Sequence, residues 1–180
     1  MQYTCHYPSP LGGIIVSSDG EAITGLWFDG RKYSTDPAAA AYEEKLLPLF
    51  EQAKRWLDLY FSGEEPPFVP AIRLHGSSFQ LAVWEILRQI PYGQLVTYHD
   101  IAKEIARRRG IDRMAAQAVG GAVGRNPVSI MVPCHRVIGS DGSLTGYASG
   151  IEKKRRLLAM EKVESDADDY VLQPKRWRSP

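Results

Sequence analysis

The spacing of apolar residues changes from a strand-like to a helical pattern along this chain of 180 residues. The first third contains three β-prone segments, 2–7, 11–18 and 22–28, which proline- and glycine-containing turns separate. The Asp-Gly pair at 19–20 predicts a tight hairpin between the last two. A small antiparallel sheet is therefore expected at the start of the chain.

Helical spacing begins after this sheet and predicts a helix over 42–60. Residues 62–70 combine three prolines with glutamate and glycine, and we interpret them as an inter-domain linker. Ser77 and Gln80 can then form a capping box for a helix that ends near Ile90. The second part of the chain is expected to be mainly helical.

Two further helices are predicted next to each other. Thr97-x-x-Asp100 can cap a helix over 98–109, and Asp112 can cap another over 114–123. A turn containing Gly110 joins them, which matches a helix-turn-helix, although many helical hairpins share this pattern. A last helix is predicted over 151–161.

Charge is distributed unevenly although the net charge is only +1. Residues 101–160 contain eleven Lys or Arg and four Asp or Glu, so this segment carries +7 and the remainder −6. A localised basic face favours a polyanionic partner. A solvated helix face is the alternative that composition leaves open.

Cysteine and histidine are too sparse for a metal or disulfide framework. The two cysteines, Cys5 and Cys134, cannot form a four-cysteine zinc site, and the four histidines show no i, i+4 pair. No apolar run approaches the ~20 residues that span a bilayer. We expect a soluble, cytoplasmic protein with neither a metal nor a cofactor.

Cys134 stands directly before His135, and apolar residues flank the pair on both sides. A thiol becomes a nucleophile when it loses its proton, and a neighbouring imidazole can accept that proton. The alternative is that Cys134 is a small buried hydrophobic residue, as most free cysteines are.

The predicted helix over 114–123 has almost no bulky side chains. Glycine weakens a helix by about 1 kcal/mol relative to alanine, so the presence of three glycines here needs an explanation. Close packing on neighbouring helices and close approach to a nucleic-acid backbone both remain open. The small residues are Ala115, Ala116, Ala118, Gly120, Gly121, Ala122 and Gly124.

Several of these motifs together resemble one known family. Asn126-Pro127, then Pro133-Cys134-His135-Arg136-Val137, Gly146-Tyr147 and Leu157–Glu161 follow with the spacing of the O6-alkylguanine-DNA alkyltransferases. The resemblance is strong over about 75–162 and weaker towards the N-terminus. It implies an α+β fold with a ribonuclease H-like domain over 1–72 and a helical alkyltransferase domain over 73–164, followed by a flexible tail over 165–180.

The resemblance also implies roles for four residues. Cys134 would accept the alkyl group permanently, and His135 would take its proton through a water. Glu161 would orient the imidazole, following the logic of Ser-His-Asp triads. Tyr98 would donate a proton to the departing guanine and press on the phosphate as the base swings out. No turnover would follow, because a thioether is a poor leaving group.

The implied partner is double-stranded DNA containing O6-alkylguanine, bound by a monomer from the minor groove. The target base would be flipped out of the stack and read by the Val137 carbonyl and by backbone donors near Tyr147 and Ala148. Asn126 would brace the turn after the recognition helix. The basic residues expected to contact DNA are Arg113, Arg125 and Arg136.

Gln117 departs from the family pattern. Many members have an arginine here, which fills the gap left by the flipped base, whereas glutamine carries no charge. This departure leaves one alternative open: a non-catalytic protein that senses alkyl lesions. A Cys-His-Glu hydrolase that turns over is a third class, but nothing in the sequence indicates an oxyanion hole.

Overall fold

The computed structural model describes residues 2–30 and 42–163 and divides the chain into two compact units. Unit 1 comprises Met1–His75 together with Pro127–Met131, and unit 2 comprises Gly76–Asn126 together with Val132–Pro180. The predicted flexible tail over 165–180 lies outside the described residues. The described part of the chain has no helix that is both long and apolar enough to cross a membrane.

Unit 1 is built on a four-stranded sheet in the order β3-β2-β1-β4. Strands β1, β2 and β3 form two antiparallel hairpins, as the turn residues predict, and β4 runs parallel to β1. Alternate side chains of β2, such as Ile14 and Val16, are fully buried because successive residues of a strand point to opposite faces. The strands are β1 (Gln2–Ser9), β2 (Gly12–Ser18), β3 (Ile23–Phe28) and β4 (Tyr42–Glu44).

Helix α1 spans Pro48–Phe61, so the predicted start of this helix at residue 42 is wrong. Residues 42–44 instead form β4, whose pairing with β1 a helical pattern cannot reveal. Pro48 fits the first turn because its missing N–H would have no helical partner there. The buried face, including Phe50 and Trp56, follows the predicted spacing.

The segment predicted as a linker, residues 62–70, belongs to unit 1, and the residues directly after it pair with β3. Ile23 N donates to Ala71 O at 2.7 Å, and Arg73 N donates to Ile23 O at 2.9 Å. The segment Pro127–Met131 also joins unit 1, since Leu26 N donates to Pro127 O at 2.9 Å. Both contacts are long-range in sequence.

The described residues of unit 2 form four α-helices, one 3-10 turn and two short parallel strands. Capping boxes at Ser77 and Thr97 begin α2 and α3 as predicted, and Gly110 ends α3 in the left-handed conformation. The predicted cap at Asp112 is wrong, because α4 begins later, after Ala115, and has no side-chain cap. The elements are α2 (Ser78–Arg88), β5 (Val96–Thr97), α3 (Tyr98–Arg109), α4 (Ala116–Gly124), β6 (Val137–Ile138) and α5 (Ile151–Met160).

Helix α4 is held by its contacts with α2 and not by its own propensity. The indole nitrogen of Trp84 on α2 donates to Ala122 O at 2.8 Å, and both residues are buried. Val119 and Val123 complete the buried face of α4. Tertiary packing therefore fixes a helix that its glycines would weaken.

Glu104 on α3 anchors two of the arginines that end the helix. Its carboxylate accepts two hydrogen bonds from Arg107, at 2.9 and 2.7 Å, and one from Arg108 at 2.7 Å. These bonds, with Arg107 contributing most, lower the pKa of Glu104 to about 2. Two of the positive charges near the helix-helix turn are thus partly compensated inside the helix.

We predict that Glu104→Gln lowers the free energy of unfolding by about 1 kcal/mol at neutral pH, a modest value because the arginines are solvent-exposed. A carboxylate whose pKa is lowered on folding stabilises the protein fully above its unfolded pKa and loses that effect as the pH falls. The difference between the two proteins should therefore shrink between about pH 4.5 and pH 2. Urea unfolding measures it, with the exposed Glu85→Gln as control; a difference that does not change with pH would contradict this.

Candidate active site

Cys134 opens a single 3-10 turn, Cys134–Arg136, that leads directly into β6. Its backbone N–H donates to Val132 O at 2.8 Å, and the residue is 6% exposed. Neither described cysteine is in a disulfide. Strand β6 pairs with β5, which runs into α3, so the thiol lies close to the start of that helix.

His135 and Glu161 form a fully buried pair. Nε2 of His135 lies 2.6 Å from Oε1 of Glu161, and neither side chain is exposed. Burial lowers the pKa of His135 despite the neighbouring carboxylate. Burial alone would raise the pKa of Glu161, yet His135 and Arg136 hold it far below its usual range. The pair is therefore a neutral imidazole beside a carboxylate.

This charge state assigns the two ring nitrogens. An ionised carboxylate can only accept hydrogen bonds, so Nε2 of His135 carries the proton and donates to Glu161. In a neutral imidazole the other nitrogen, Nδ1, then has a lone pair. Nδ1 is the atom that can take a proton from a nucleophile.

Arg136 lies in the interior, which differs from the DNA contact that the family resemblance implied. The residue is 9% exposed. Its Nε and Nη2 donate to the two oxygens of Glu161 at 2.8 and 3.0 Å, and Nη1 donates to Ile90 O at 2.6 Å. A guanidinium that is buried and held by Glu161 and Ile90 O inside the protein is not placed to contact a phosphate.

Tyr98 is the first residue of α3, directly after its capping threonine. Its hydroxyl donates to Thr145 O at 2.9 Å. Burial, and then charge on the nearby Cys134, raise the pKa of Tyr98 to about 12, so the phenol keeps its proton. Gly146 allows this approach, since its φ is +71° and a Cβ there would lie 3.0 Å from the Tyr98 oxygen.

Lys154 is a residue of this site that the sequence interpretation missed. Its side chain is completely buried, and Nζ donates to the carbonyl oxygens of Val137 and Thr145. Burial lowers the pKa of Lys154 to about 8, while charge on Cys134 acts in the opposite direction. The spacing of Lys154, Leu157 and Glu161 places the lysine on the inner face of α5, a signal that was present in the sequence.

The remaining predicted residues divide into an inner and an outer group. Asn126 is 1% exposed and donates from Nδ2 to Val132 O at 2.7 Å, which ties the end of α4 to the segment before Cys134. Tyr147 is half-buried and Ala148 is exposed, in the loop that carries Thr145. The outer group, which lies on or beside α4, is exposed and consists of Arg113, Gln117 and Arg125.

The glycines of α4 are not required by packing inside unit 2. A Cβ at Gly120 would lie 3.9 Å from the Tyr98 ring, and one at Gly121 would lie 3.5 Å from Arg125, both ordinary contacts. A Cβ at Gly124 would meet no atom within 4 Å. For these glycines, therefore, close packing on neighbouring helices is not the explanation, although the buried Ala122 does pack against α2.

Two family models match nearly the whole chain. The DNA binding domain of 6-O-methylguanine DNA methyltransferase matches residues 78–163, and the ribonuclease-like domain of the same family matches 2–74. The chain belongs to the 6-O-methylguanine DNA methyltransferase family. The resemblance stated from the sequence motifs and the α+β fold class are thereby confirmed.

Individual members of the family are similar over most of their length. The methylated-DNA–protein-cysteine methyltransferase of Haemophilus influenzae is 42% identical over 89% of this chain and 87% of its own. That of Methanosarcina acetivorans is 41% identical over 88% and 97%. The structure of Mycobacterium tuberculosis OGT in complex with DNA is 39% identical, with a TM-score of 0.79 over 89% of this chain and 93% of that one.

We predict that Lys154→Met slows alkylation of Cys134 at least about tenfold, equivalent to ~1.4 kcal/mol. The buried Val137 carbonyl would lose its side-chain donor, and Thr145 O would keep only the bond from Tyr98, so the link between the two segments beside Tyr98 is lost. The rate with free O6-benzylguanine measures this. Arg156→Met, at an exposed position of the same helix, is the control; equal rates in both variants would contradict a role for Lys154.

Proposed function

We propose that this chain repairs DNA by transferring an alkyl group from O6 of guanine to the sulfur of its own Cys134, once per molecule. The observation that carries the proposal is the buried pair of His135 and Glu161, whose Nε2 and Oε1 atoms are 2.6 Å apart. His135 directly follows Cys134 in the chain. Membership of the 6-O-methylguanine DNA methyltransferase family supports the substrate class. We expect the protein to act as a cytoplasmic monomer and without a cofactor.

The reaction begins with deprotonation of Cys134. The thiol proton passes through a bridging water to Nδ1 of the neutral His135, whose other nitrogen is held by Glu161. The thiolate then attacks the alkyl carbon, so an S–C bond forms as the C–O6 bond breaks. Tyr98, whose hydroxyl keeps its proton, can supply a proton to the departing guanine.

The end product explains why each molecule acts once. A thioether on Cys134 is a poor leaving group, and a sulfur that bears an alkyl group has no proton for His135 to accept. A hydrolase forms an acyl-enzyme and stabilises a developing oxyanion as water attacks its carbonyl, whereas an alkyl thioether has no carbonyl for water to attack. The chemistry of the product therefore supports a stoichiometric reagent rather than a hydrolase.

The target base must leave the duplex to reach a cysteine that is only 6% exposed. We propose that α4 enters the minor groove, where its glycines let the helix backbone approach the sugar-phosphate chain closely. Gln117 would then face the gap that the flipped base leaves. Arg113 and Arg125, which are exposed, would contact phosphates.

The pocket for the flipped base would be formed by backbone groups. The Val137 carbonyl, which Lys154 orients, can accept a hydrogen bond from the exocyclic amine of guanine. Backbone N–H groups at Tyr147 and Ala148 would face O6. Asn126 supports this arrangement from behind through its bond to Val132 O.

We predict that duplex DNA containing labelled O6-methylguanine transfers one label per chain to wild type and none to Cys134→Ser. The serine hydroxyl is a much weaker acid than the thiol, and His135 cannot activate it comparably. Gel autoradiography with mass spectrometry of the labelled peptide measures the transfer.

Cys5→Ser is the matched control and should behave as wild type, because burial raises the pKa of Cys5 to about 11. Binding of the lesion without transfer by wild type would favour the lesion-sensing alternative. More than one methyl released per chain would favour the hydrolase.

We also predict that Gln117→Arg raises the repair rate on duplex DNA by about fivefold and leaves the rate on free O6-benzylguanine unchanged. A charged hydrogen bond to the orphaned base is worth ~1 kcal/mol more than a neutral one. Only the duplex reaction includes base flipping. Equal effects on both substrates would show that position 117 does not act through the flipped state.

A further inference from the structure

The carboxylate of Glu161 is engaged by more than its histidine. Oε1 accepts from Nε2 of His135 at 2.6 Å and from Nη2 of Arg136 at 3.0 Å. Oε2 accepts from Nε of Arg136 at 2.8 Å and from the backbone N–H of Gly93 at 3.0 Å. These donors place two hydrogen bonds on each oxygen, which uses the lone-pair sites of a carboxylate.

Arg136 is held as firmly as the carboxylate that it binds. Its Nη1 donates to Ile90 O at 2.6 Å, and its guanidinium lies 5.7 Å from the centre of the Tyr92 ring. The turn after α2 therefore supplies a carbonyl, an aromatic ring and, at Gly93, an N–H to one ion pair. Gly93 has a φ of +73°, and a Cβ there would lie 3.1 Å from Glu161 O.

The charges that face His135 come from two elements, α5 with its C-cap residue and the 3-10 turn. Glu161, at the end of α5, is negative; Arg136, in the 3-10 turn, and Lys154, inside α5, are positive. Cys134 adjoins the imidazole in the chain, and Tyr98 of α3 lies near that thiol. Without Arg136 the whole negative charge of Glu161 would act on a buried imidazole, which would then bind a proton before the thiol could supply one.

We propose that Arg136 is a positioning residue that shares the charge of Glu161, so that His135 is held in place by the carboxylate and yet remains neutral and able to accept the proton of Cys134. This inference rests on the proposed alkyl transfer. A carboxylate both orients a histidine and raises its pKa. With Arg136 present, Glu161 still orients His135 but raises its pKa less.

The same contacts determine where the proton stays. Glu161 already accepts four hydrogen bonds, and its pKa lies far below the usual range, so it does not take the proton from His135. The thiol proton therefore remains on the imidazole while the S–C bond forms and the C–O6 bond breaks. Positive charge on His135 then balances the thiolate until the sulfur is alkylated.

The test compares Arg136→Met, which removes the charge and keeps an unbranched chain, with wild type and with Arg136→Lys. Alkylation of Cys134 by free O6-benzylguanine is followed by mass spectrometry between about pH 5 and pH 9. We expect the midpoint of the acid limb to move upward by about one pH unit in Arg136→Met. The rate below both midpoints then falls about tenfold, while the rate at high pH recovers to near that of wild type.

Arg136→Lys keeps a charge but loses the forked geometry, so its midpoint should lie between the other two. The double variant Arg136→Met/Glu161→Gln removes both charges, and its midpoint should return to or below that of wild type. A lower rate at every pH with an unchanged midpoint would mean that Arg136 is only structural, and would overturn the inference.

A direct measurement covers the case in which Arg136→Met does not fold. Titration of wild type labelled with 15N-histidine should show His135 neutral at pH 7, with Nε2 protonated; a protonated imidazole at that pH would overturn the inference. If wild type does not react with O6-benzylguanine at all, the proposed function fails instead, and the histidine titration of wild type and Arg136→Lys still shows whether Arg136 lowers the pKa of His135.

Discussion

The buried Glu161 carboxylate connects three separate parts of unit 2. It joins the end of α5 to the 3-10 turn through His135 and Arg136, and to the turn after α2 through Gly93. Burying such charges costs free energy that an apolar cluster would not. Moving the Glu161 carboxylate away from the Arg136 guanidinium would leave an uncompensated charge in the interior. The folded protein therefore holds the segment that carries Cys134 in one position.

A second set of contacts, centred on the Thr145 carbonyl, depends on that fixed segment. Thr145 O accepts from both Tyr98 and Lys154, and Lys154 also binds the carbonyl of Val137 directly after the 3-10 turn. One buried ammonium group therefore sets the distance between the cysteine segment and the loop beside the tyrosine. The positions of Tyr98, the proposed acid, and of Cys134, the proposed nucleophile, are thus both linked to α5.

Features decided by neighbouring residues were predictable from the sequence. The hairpins and the capping boxes at Ser77 and Thr97 need only a few consecutive residues, and they form as predicted. The proximity of Cys134 and His135 is a matter of adjacency. The family resemblance singled out Glu161 and Tyr98 as candidates, and the structure places Glu161 beside His135.

Features that depend on residues far apart in the chain were not predictable from the sequence. Residues 42–44 become a strand only because β1 offers an open edge, and Ile72 pairs with Ile23 in the same manner. Arg136 reads as a surface cation until Glu161, 25 positions later, is placed beside it. Lys154 shows why charge alone misleads: its helical position is internal, and two carbonyls make that burial tolerable.

Helix α4 contains glycines that packing inside unit 2 does not require, and contacts on its inner face offset their cost. Gly120 and Gly121, inside the helix, weaken it by about 2 kcal/mol relative to alanine, and none of the three glycines of α4 relieves a steric clash. The Trp84 indole bond and the buried Val119 and Val123 offset that cost from the inner face. Because alanine would fit at Gly120 and Gly124 and strengthen the helix, packing inside the folded chain does not account for glycine there, whereas the proposed close approach of α4 to DNA does.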